Sequence, residues 1–435
     1  MFSYYLDLAW RSFKRTPALT ALMVLAIAVG IGASVTMLTL LHVLSGDPLP
    51  GLSAHLYRPQ IDPRDMLDYR PGQEPLDQVT WTDGMNLLRA KRAERQALMT
   101  GGTVAIQPPQ STLDAFYEPA RYITAGFFPM FGVPFQYGHP WDAAADQARA
   151  RVAVISSKLN DKLFGGKDST GQSLQLDGTT FRIVGVLGHW DPNPHFYDLG
   201  VQTYGRSEGV YLPLSTSQAL SMDHDGNFNC WGKGGGSNQH PGHNWPCVWL
   251  QFWVQLDTPA QVAAYHRFLV NYSAQQKALG RFQRPPNVRL RDLMQWLSYN
   301  GVVPDDVLVQ TWLAFGFLAV CLINTMGLML ARFMRRQGEL GVRRALGASR
   351  LAVFEQLLVE SGLAGLAGGI GGVLLALLGL WLVRHQPSSY AALAHMDPAM
   401  LLATFVLALG ATLIAALLPA WRACQIAPAR QLKSQ

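Results

Sequence analysis

The stretch Leu19–Leu44, LTALMVLAIAVGIGASVTMLTLLHVL, decides the fold class of this 435-residue chain. It contains no Asp, Glu, Lys or Arg and is longer than the about 20 residues that a helix needs to cross a hydrocarbon core. Val307–Ala331, Leu363–Val383 and Met400–Leu418 are apolar over similar lengths. A cleaved signal peptide would have an apolar region of only about 7–15 residues. We therefore predict four transmembrane helices, the first a retained anchor.

The basic residues of the chain are concentrated beside these apolar runs. Although the sequence pI is about 9.1, Gly46–Asp306 holds 22 of the 35 Lys and Arg and 24 of the 29 Asp and Glu. This segment is slightly acidic, which argues against nucleic acid as a partner. Lys and Arg near membrane helices stay on the cytoplasmic side. Their positions predict a multi-pass membrane protein with both termini in the cytoplasm and Gly46–Asp306 on the opposite side of the membrane.

The apolar runs and the charge pattern predict an integral membrane α-helical fold, with a large mixed α/β extracytoplasmic domain between helices 1 and 2. The predicted segments are a cytoplasmic interfacial helix (1–18), helix 1 (19–45), the extracytoplasmic domain (46–306), helix 2 (307–331), a cytoplasmic segment (332–356), helix 3 (357–383), a short extracytoplasmic loop (384–398), helix 4 (399–420) and a cytoplasmic tail (421–435). The interfacial helix is predicted because apolar residues recur at helical spacing beside Lys14 and Arg15; the alternative is a frayed terminus.

The long hydrophilic segment has the pattern of a mixed α/β domain. Arg151–Ser156 and Phe181–Val186 are rich in β-branched residues, as strands are. Asp177-Gly178 lies between two such runs and predicts a hairpin with a type I′ turn. Asp83–Met99 and Pro259–Leu279 are predicted to be helices.

Asp223–Cys247 is rich in Gly, His and Trp and is predicted to be a long surface loop. Cys230 and Cys247 bracket it in an oxidising compartment, which favours a disulfide worth about 3 kcal/mol. The alternative is a metal site made from these thiols and three histidines, His224, His240 and His243. Their spacing fits no standard zinc pattern, so no metal is predicted. Three tryptophans, expected to be exposed, either bind a partner or pack at the base of the loop: Trp231, Trp245 and Trp249.

Several motifs resemble those of MacB/FtsX-type permeases, in the same order. Arg335–Gly347, RRQGELGVRRALG, and the Ala-Ser that follows it resemble the R-x-x-E-x-x-x-R-x-A-L-G-A-S pattern of the FtsX-like permease domain. Pro419–Leu432, PAWRACQIAPARQL, resembles the closing motif of that domain, and Arg11–Pro17 its opening. Phe127–Phe131 and Val152–Ser156 resemble parts of the MacB periplasmic core domain. The resemblance implies a four-helix permease of an ABC-type export system in the bacterial inner membrane, with residues 46–306 as a periplasmic core domain and residues 332–356 as a coupling segment. It also implies assembly as a dimer with two cytoplasmic ATPases.

The sequence contains no G-x-x-x-x-G-K-[ST] pattern, and its nearest string, Gly165–Asp168, lacks the spaced glycine and the hydroxyl. No catalytic residue and no cofactor are therefore predicted on this chain. The resemblance assigns ATP and Mg to a separate ABC ATPase subunit. The other partners that it implies are a second permease subunit, the same or related, and the lipid of the membrane; a periplasmic adaptor and an outer-membrane channel would complete an efflux machine.

Glu339–Gly347 is predicted to form a short amphipathic helix, because Glu339 and Arg343 are four residues apart and Gly347 supplies a stop. The resemblance assigns coupling to the ATPase to this helix. The residues are Glu339, Leu340, Val342, Arg343, Arg344, Ala345, Leu346 and Gly347. The alternative is a basic loop held on anionic lipid headgroups.

The third span carries two pairs of glycines at small-xxx-small spacing, which allows close helix approach. These are Gly365, Gly368, Gly369 and Gly372. Packing within the chain and packing across a dimer both remain open. Asn324 in the second span is predicted to bond a neighbouring helix, and Glu360 to reach water or an arginine rather than to couple protons.

The spans contain few polar residues, so we predict no hydrophilic path through them. Instead the chain is predicted to transmit ATP-driven movement to its periplasmic domain (mechanotransmission). Efflux of a periplasmic peptide, antibiotic or similar compound is the leading function, because the domain is much larger than that of FtsX itself. Two alternatives stay open: an FtsX-like signalling scaffold that activates a periplasmic partner, and Lol-like lipoprotein extraction.

Overall fold

The structure is a computed structural model that describes residues 2–108, 114–201, 203–205, 207–232, 242, 245–385, 395–396 and 398–425. The chain divides into two units. We call Met1–Gly46 with Val303–Gln435 the membrane unit, and Asp47–Val302 the core domain.

Thirteen α-helices are described, in chain order as follows, together with a 3-10 helix at Ser53–His55. They are α1 (Phe2–Arg15), α2 (Pro17–Leu44), α3 (Trp81–Ala90), α4 (Phe127–Phe131), α5 (Ala143–Gln147), α6 (Ser157–Phe164), α7 (Leu214–Ala219), α8 (Pro259–Ala278), α9 (Leu293–Tyr299), α10 (Asp305–Arg335), α11 (Gln337–Ala345), α12 (Arg350–Arg384) and α13 (Pro398–Cys424).

Twelve strands are described. They are β1 (Leu56–Ile61), β2 (Arg95–Gln107), β3 (Phe116–Ile123), β4 (Phe135–Gly138), β5 (Val152–Ile155), β6 (Ser173–Leu176), β7 (Thr179–Leu187), β8 (Val210–Pro213), β9 (Asn229–Cys230), β10 (Cys247–Val248), β11 (Gln251–Gln255) and β12 (Val288–Asp292).

The membrane unit contains four helices that are long and apolar enough to cross a bilayer: α2, α10, α12 and α13. The predicted fold class is therefore confirmed. Proline begins α2, where a missing N–H costs nothing, and the Ser349 hydroxyl caps the first turn of α12. The four helices share an apolar core that includes one residue or more from each: Ile27, Ile31, Val35, Leu318, Ala376 and Ala408.

The core domain is built on a ten-stranded mixed sheet with the strand order β12-β1-β11-β2-β3-β8-β5-β7-β4, while β6 pairs with β2 and β7. The pairs β3–β8 and β5–β7 are parallel, and the other pairs are antiparallel. The predicted hairpin joins β6 to β7, with φ of 45° at Asp177 and 75° at Gly178. The predicted helix Pro259–Leu279 is present as α8, which begins with a capping box between Thr258 and Gln261.

The prediction of one helix over Asp83–Met99 is wrong beyond Ala90. Lys91 adopts a left-handed conformation with φ of 47° and ends α3, and the chain then enters β2. The reason is tertiary, because β2 pairs with both β11 and β3 and buries Leu98 and Met99 completely. Burial in the middle of a sheet outweighs the local helix propensity of this segment.

Candidate functional site

The short helix α11 lies between the two spans α10 and α12 and is the centre of the candidate site. It begins directly after α10 and ends before Gly347, whose φ of 103° lies in the left-handed region that favours glycine. The predicted amphipathic helix is thus present in the structure.

The inner side of α11 is anchored by Leu340. This side chain is only 5% exposed and belongs to an apolar cluster with residues of α10 and α12. The neighbours from those two spans are Met329, Phe333, Val353 and Leu357. Leu340 therefore fixes the helix to the membrane unit and is not available to contact a soluble partner.

The charged side chains of α11 bind the surrounding helices. Glu339 lies 3.3 Å from Arg15 of α1, 3.4 Å from Arg336 and 3.6 Å from Arg343. Arg343 also donates to the Gln356 carboxamide of α12 at 2.9 Å, and Arg344 to the main-chain oxygen of Cys424 in α13 at 3.2 Å. These bonds tie α11 to α1, α12 and α13, so the helix is held by its polar residues as well as by Leu340.

The outer side of α11 is apolar and exposed. Leu346 is 84% exposed and Val342 56% exposed, and Ala345 between them is also exposed. We call these three residues the coupling face. Polar contacts hold the rest of the helix in place, so an exposed apolar face here has the form of a docking surface.

A buried ionic cluster lies beneath α11, where α1, α10 and α12 meet. Glu360 of α12 is 2% exposed and lies 2.8 Å from Arg332 and 3.0 Å from Arg336. Ser12 of α1 donates to Glu360 and accepts from Arg332 at 2.7 Å and from Arg336 at 2.6 Å. The ring of Phe13 lies 4.9 Å from the Arg332 guanidinium. Charged groups at this depth are stable only when they are paired in this way.

This cluster joins α1, α10 and α12 through hydrogen bonds and ion pairs. Glu360 was expected to reach water or an arginine, and the structure pairs it with two arginines. The roles of Ser12 and Arg332 were missed by the sequence analysis. A signal was available: an acid that adjoins an apolar run favours a cation as its partner, and Arg332 and Arg336 are four residues apart at the end of the second apolar run.

The four glycines of α12 pack against two different helices of the same chain. A Cβ placed on Gly365 would lie 2.1 Å from the Thr412 hydroxyl of α13, and one on Gly369 would lie 3.0 Å from Ala408. On the other side, a Cβ on Gly368 would lie 2.4 Å from Ile27 of α2, and one on Gly372 would lie 2.9 Å from Ile31. Gly365 and Gly369 therefore allow close contact with α13, and Gly368 and Gly372 allow close contact with α2. As a result, α12 packs between these two helices.

Asn324 is predicted to bond a neighbouring helix, and no such bond is present within the described residues of this chain. Asn324 lies on the exposed face of α10 and has no hydrogen-bond partner among the residues that the structure describes. The reason is the rotation of α10 about its own axis. This rotation turns Cys321 and Thr325 toward the helix bundle and leaves Asn324 on the opposite, exposed face.

In the core domain, Cys230 and Cys247 form a disulfide that joins β9 to β10. Trp249 was expected to be exposed but is only 2% exposed, because it stacks on Trp81 at 6.1 Å. Among the described residues no group of three or more His, Cys, Asp and Glu side chains is placed to hold a metal ion. His240 and His243 lie outside the described residues.

A buried charge network also lies in the core domain. Arg121 is bound by Asp198 at 2.6 Å and by Glu208, and the Tyr197 hydroxyl donates to Glu208 at 2.9 Å. Burial acts to raise the pKa of Glu208, but the electrostatic interactions with Arg121 and His195 and the hydrogen bonds to the carboxylate together outweigh burial, so the pKa lies below its usual range. Burial lowers the pKa of His195, which stacks on Tyr197. His195 is therefore neutral in the folded domain at neutral pH.

The core domain is expected to lose stability through His195 as the pH falls from 7 to 5. The unfolded chain takes up a proton near pH 6.5, whereas the buried imidazole, with its lowered pKa, does not until lower pH. Protons then favour the unfolded state. His195→Phe keeps a ring beside Tyr197 but cannot titrate. In urea unfolding of residues 47–302, the stability of the wild type relative to His195→Phe should fall on acidification; a constant difference would contradict the assignment.

The fold and the site together define a class of protein: a membrane permease with four spanning helices, a large domain after the first helix and a short helix between the second and the third. A model of the MacB-like periplasmic core domain matches residues 20–269, and a model of the FtsX-like permease C-terminal matches residues 312–428. The chain belongs to the MacB/FtsX-like family of ABC transporter permeases.

The chain is similar to two curated relatives and aligns weakly with one solved structure. The macrolide export ATP-binding/permease protein MacB 1/2 of Paracoccus denitrificans is 25% identical over 307 residues, 71% of this chain and 40% of that protein. The pyoverdine export ATP-binding/permease protein PvdT of Pseudomonas entomophila is 23% identical over 447 residues, 99% of this chain and 59% of that protein. The periplasmic region of MacB from Actinobacillus actinomycetemcomitans aligns at 12% identity with a TM-score of 0.35, over 56% of this chain and 92% of that one. The chain spans between 40% and 59% of the length of these two curated relatives.

Proposed function

We propose that this chain carries ATP-driven movement from a separate cytoplasmic ATPase to its core domain, and that the movement drives export of a peptide, an antibiotic or a similar compound from the periplasm. The observation that carries the proposal is the coupling face of Val342, Ala345 and Leu346. It is exposed and apolar, while the rest of α11 is fixed to the spans. A push on this face would therefore be delivered to the membrane helices and not absorbed by a flexible loop.

The partners follow from this proposal. An ABC ATPase would bind the coupling face and hold ATP and Mg, and the names of both curated relatives include an ATP-binding part. That assignment places both termini and α11 in the cytoplasm of the inner membrane and the core domain in the periplasm, as the positive charges beside the spans favour. A second permease subunit, and beyond it an adaptor and an outer-membrane channel, would complete the system.

Most hydroxyl groups of the spans support transmission of movement over conduction, although the buried Thr39 hydroxyl has no hydrogen-bond partner among the described residues. Thr36, Thr325 and Thr412 each donate to a main-chain oxygen four residues earlier in their own helix. Ser34 donates to the main-chain oxygen of Ala314 in α10 at 3.0 Å. Groups satisfied by the backbone do not line a path for a hydrophilic solute. Transport of a soluble compound from the cytoplasmic side by the purified complex in proteoliposomes would contradict this part of the proposal.

Leu346→Asp is expected to weaken binding of the ATPase at least tenfold, because a charge in the centre of an apolar contact removes about 2 kcal/mol or more. The measurement is co-purification of the ATPase with the tagged chain from membranes, together with ATP turnover by the isolated complex. Leu279→Asp is the control for a new charge at an exposed leucine, since Leu279 is 70% exposed and lies in the core domain.

The co-purified chains also decide between functions. An ATPase with an adaptor agrees with efflux, whereas an ATPase with a cell-wall hydrolase would indicate the FtsX-like signalling role. Unchanged ATPase binding in Leu346→Asp would show that the coupling face is not the docking surface.

A further inference from the structure

A cleft in the core domain lies between the first half of α8 and the strands β1 and β12 at one end of the sheet. Its volume is about 630 Å³. Sites for small organic molecules typically have volumes of about 300–1,000 Å³. All the residues that line this cleft belong to the core domain, so it is separate from the coupling face and from the ionic cluster beneath α11. We call it the α8 cleft.

The floor of the α8 cleft is apolar. Tyr57 of β1 and Leu290 of β12 lie on the same face of the sheet, because Leu290 pairs with Pro59, two residues from Tyr57. Val262 lines the cleft from α8. We call Tyr57, Leu290 and Val262 the floor. All three pack on the apolar core but are only partly buried, so a compound in the cleft would cover apolar surface that is otherwise in contact with water.

The rim of the α8 cleft carries a positive charge that is not paired within the chain. His266 and Arg267 are consecutive residues of α8, and both are exposed. Neither forms a hydrogen bond or an ion pair among the described residues. The acid in the lining, Asp257, is already engaged, since it lies 3.6 Å from His55 and accepts from the Gln255 carboxamide at 2.9 Å. Arg267 is therefore available to bind an anion, and a guanidinium matches a carboxylate with two parallel hydrogen bonds.

Tyr57 adds a hydrogen-bond donor to the apolar floor. Its hydroxyl has no hydrogen-bond partner among the residues that the structure describes. Burial and the charge of Asp292 both raise the pKa of Tyr57, so the phenol keeps its proton at neutral pH and can donate. Apolar walls with a few polar groups that fix orientation are the usual composition of a small-molecule site.

We propose that the α8 cleft binds an organic anion that has an apolar body and a carboxylate, with Arg267 on the carboxylate and the floor against the body. A compound with a positive charge in place of the carboxylate is disfavoured, because Arg267 would repel it. The inference rests on the proposed function and deepens it, since it names the chemical class of the exported compound. A peptide with an apolar C-terminal residue belongs to this class, as does an antibiotic that carries a carboxylate.

Photolabelling of the intact chain in lipid nanodiscs tests the proposal. The probe is N-acetyl-4-benzoylphenylalanine, which combines an aromatic body, a photoreactive ketone and one carboxylate. Peptide mapping by mass spectrometry should find saturable label within residues 54–57, within residues 256–267 or at Leu290. The methyl ester of the probe lacks the negative charge and should label these segments about twofold to fivefold less, the effect of one exposed ion pair. Saturable label confined to other segments, or equal labelling by acid and ester, would overturn the proposal.

Two neighbouring alanines of α8 provide matched variants. Ala263 lines the cleft and Ala264 does not, and both are exposed. Ala263→Trp should reduce labelling at least about tenfold, because the indole and the probe cannot occupy the same volume. Ala264→Trp makes the same change in helix propensity and should label as the wild type does. Arg267→Gln should reduce labelling about twofold to fivefold without filling the cleft. Equal labelling of the two tryptophan variants would overturn the site, and wild-type labelling of Arg267→Gln would overturn the role of the guanidinium.

These measurements are made without an ATPase, so they separate this inference from the proposed function. Absence of saturable labelling, while ATPase binding still depends on Leu346, would overturn the α8 cleft as a site and leave the coupling in place. Labelling of the cleft, together with unchanged ATPase binding in Leu346→Asp, would support the site and contradict the proposed coupling.

Discussion

Glu360→Ala is expected to destabilise the membrane unit by about 3–5 kcal/mol, because removing one partner of a buried ion pair leaves the other charge uncompensated. Arg332 is only 1% exposed and would lose the carboxylate 2.8 Å away. Arg336 is better placed to adapt, since its side chain is 13% exposed and also reaches Glu339. The loss would appear as a lower thermal midpoint in detergent and as faster proteolysis at the ends of α1 and α12.

Two variants make the Glu360 result specific. Glu355→Ala removes an exposed acid from the same helix and should change the midpoint little. Glu360→Ala combined with Arg332→Leu removes both charges and should recover part of the loss, because the uncompensated cation is gone. If Glu360→Ala is as stable as Glu355→Ala, the cluster does not hold the three helices together.

Gly368→Val is also expected to destabilise the membrane unit, in this case through overpacking. A Cβ at this position would lie 2.4 Å from the Ile27 methyl group and 2.8 Å from its Cβ, and Ile27 is fully buried. Relief requires α2 and α12 to separate, which costs at least about 1–3 kcal/mol for a rigid contact. We expect a reduced yield of folded protein and a lower thermal midpoint.

The matched control is Gly362→Val on the same helix. A Cβ on Gly362 would meet no atom within 4 Å. This variant therefore changes the helix propensity from that of glycine to that of valine, as Gly368→Val does, but introduces no clash. Equal behaviour of the two variants would show that propensity and not packing accounts for the effect. A stable Gly368→Val chain would mean that α2 and α12 are not in the close contact described here.

Glu360 and Gly368 bear on the same mechanical property. The ionic cluster joins α12 to α1 and α10, and the glycines hold α12 against α2 and α13. The short helix α11 is bonded to this assembly at Glu339, Arg343 and Arg344. Transmission of movement requires these helices to move as one rigid body. If any one of these contacts were loose, a movement of α11 would not reach the other helices.

Much of this architecture is predictable from the amino-acid sequence alone. The four spans, the hairpin at Asp177-Gly178 and the helix α8 depend on local patterns, namely apolar length, turn conformation and capping. The helix predicted over Asp83–Met99 failed for the opposite reason: β2 is a strand because β3 and β11 flank it, and those strands are distant in sequence.

For the site residues too, local features were predictable from the sequence and features that depend on neighbouring helices were not. The short helix at Glu339–Gly347 was predictable because an acid and a base four residues apart and a terminal glycine are local signals. That Leu340 anchors the helix while Val342 and Leu346 face outward depends on which helices surround α11.

By itself, the sequence determined the number of spans, the position of the large domain and the existence of a short helix between the second and third spans. Length, hydropathy and charge are enough for that, since the bilayer imposes them on every crossing segment. Only the tertiary structure decided that Glu360 pairs with Arg332, that the glycines of α12 contact two different helices, and that Asn324 faces outward. Those facts depend on the rotation of each helix about its axis, and packing against the other helices sets that rotation.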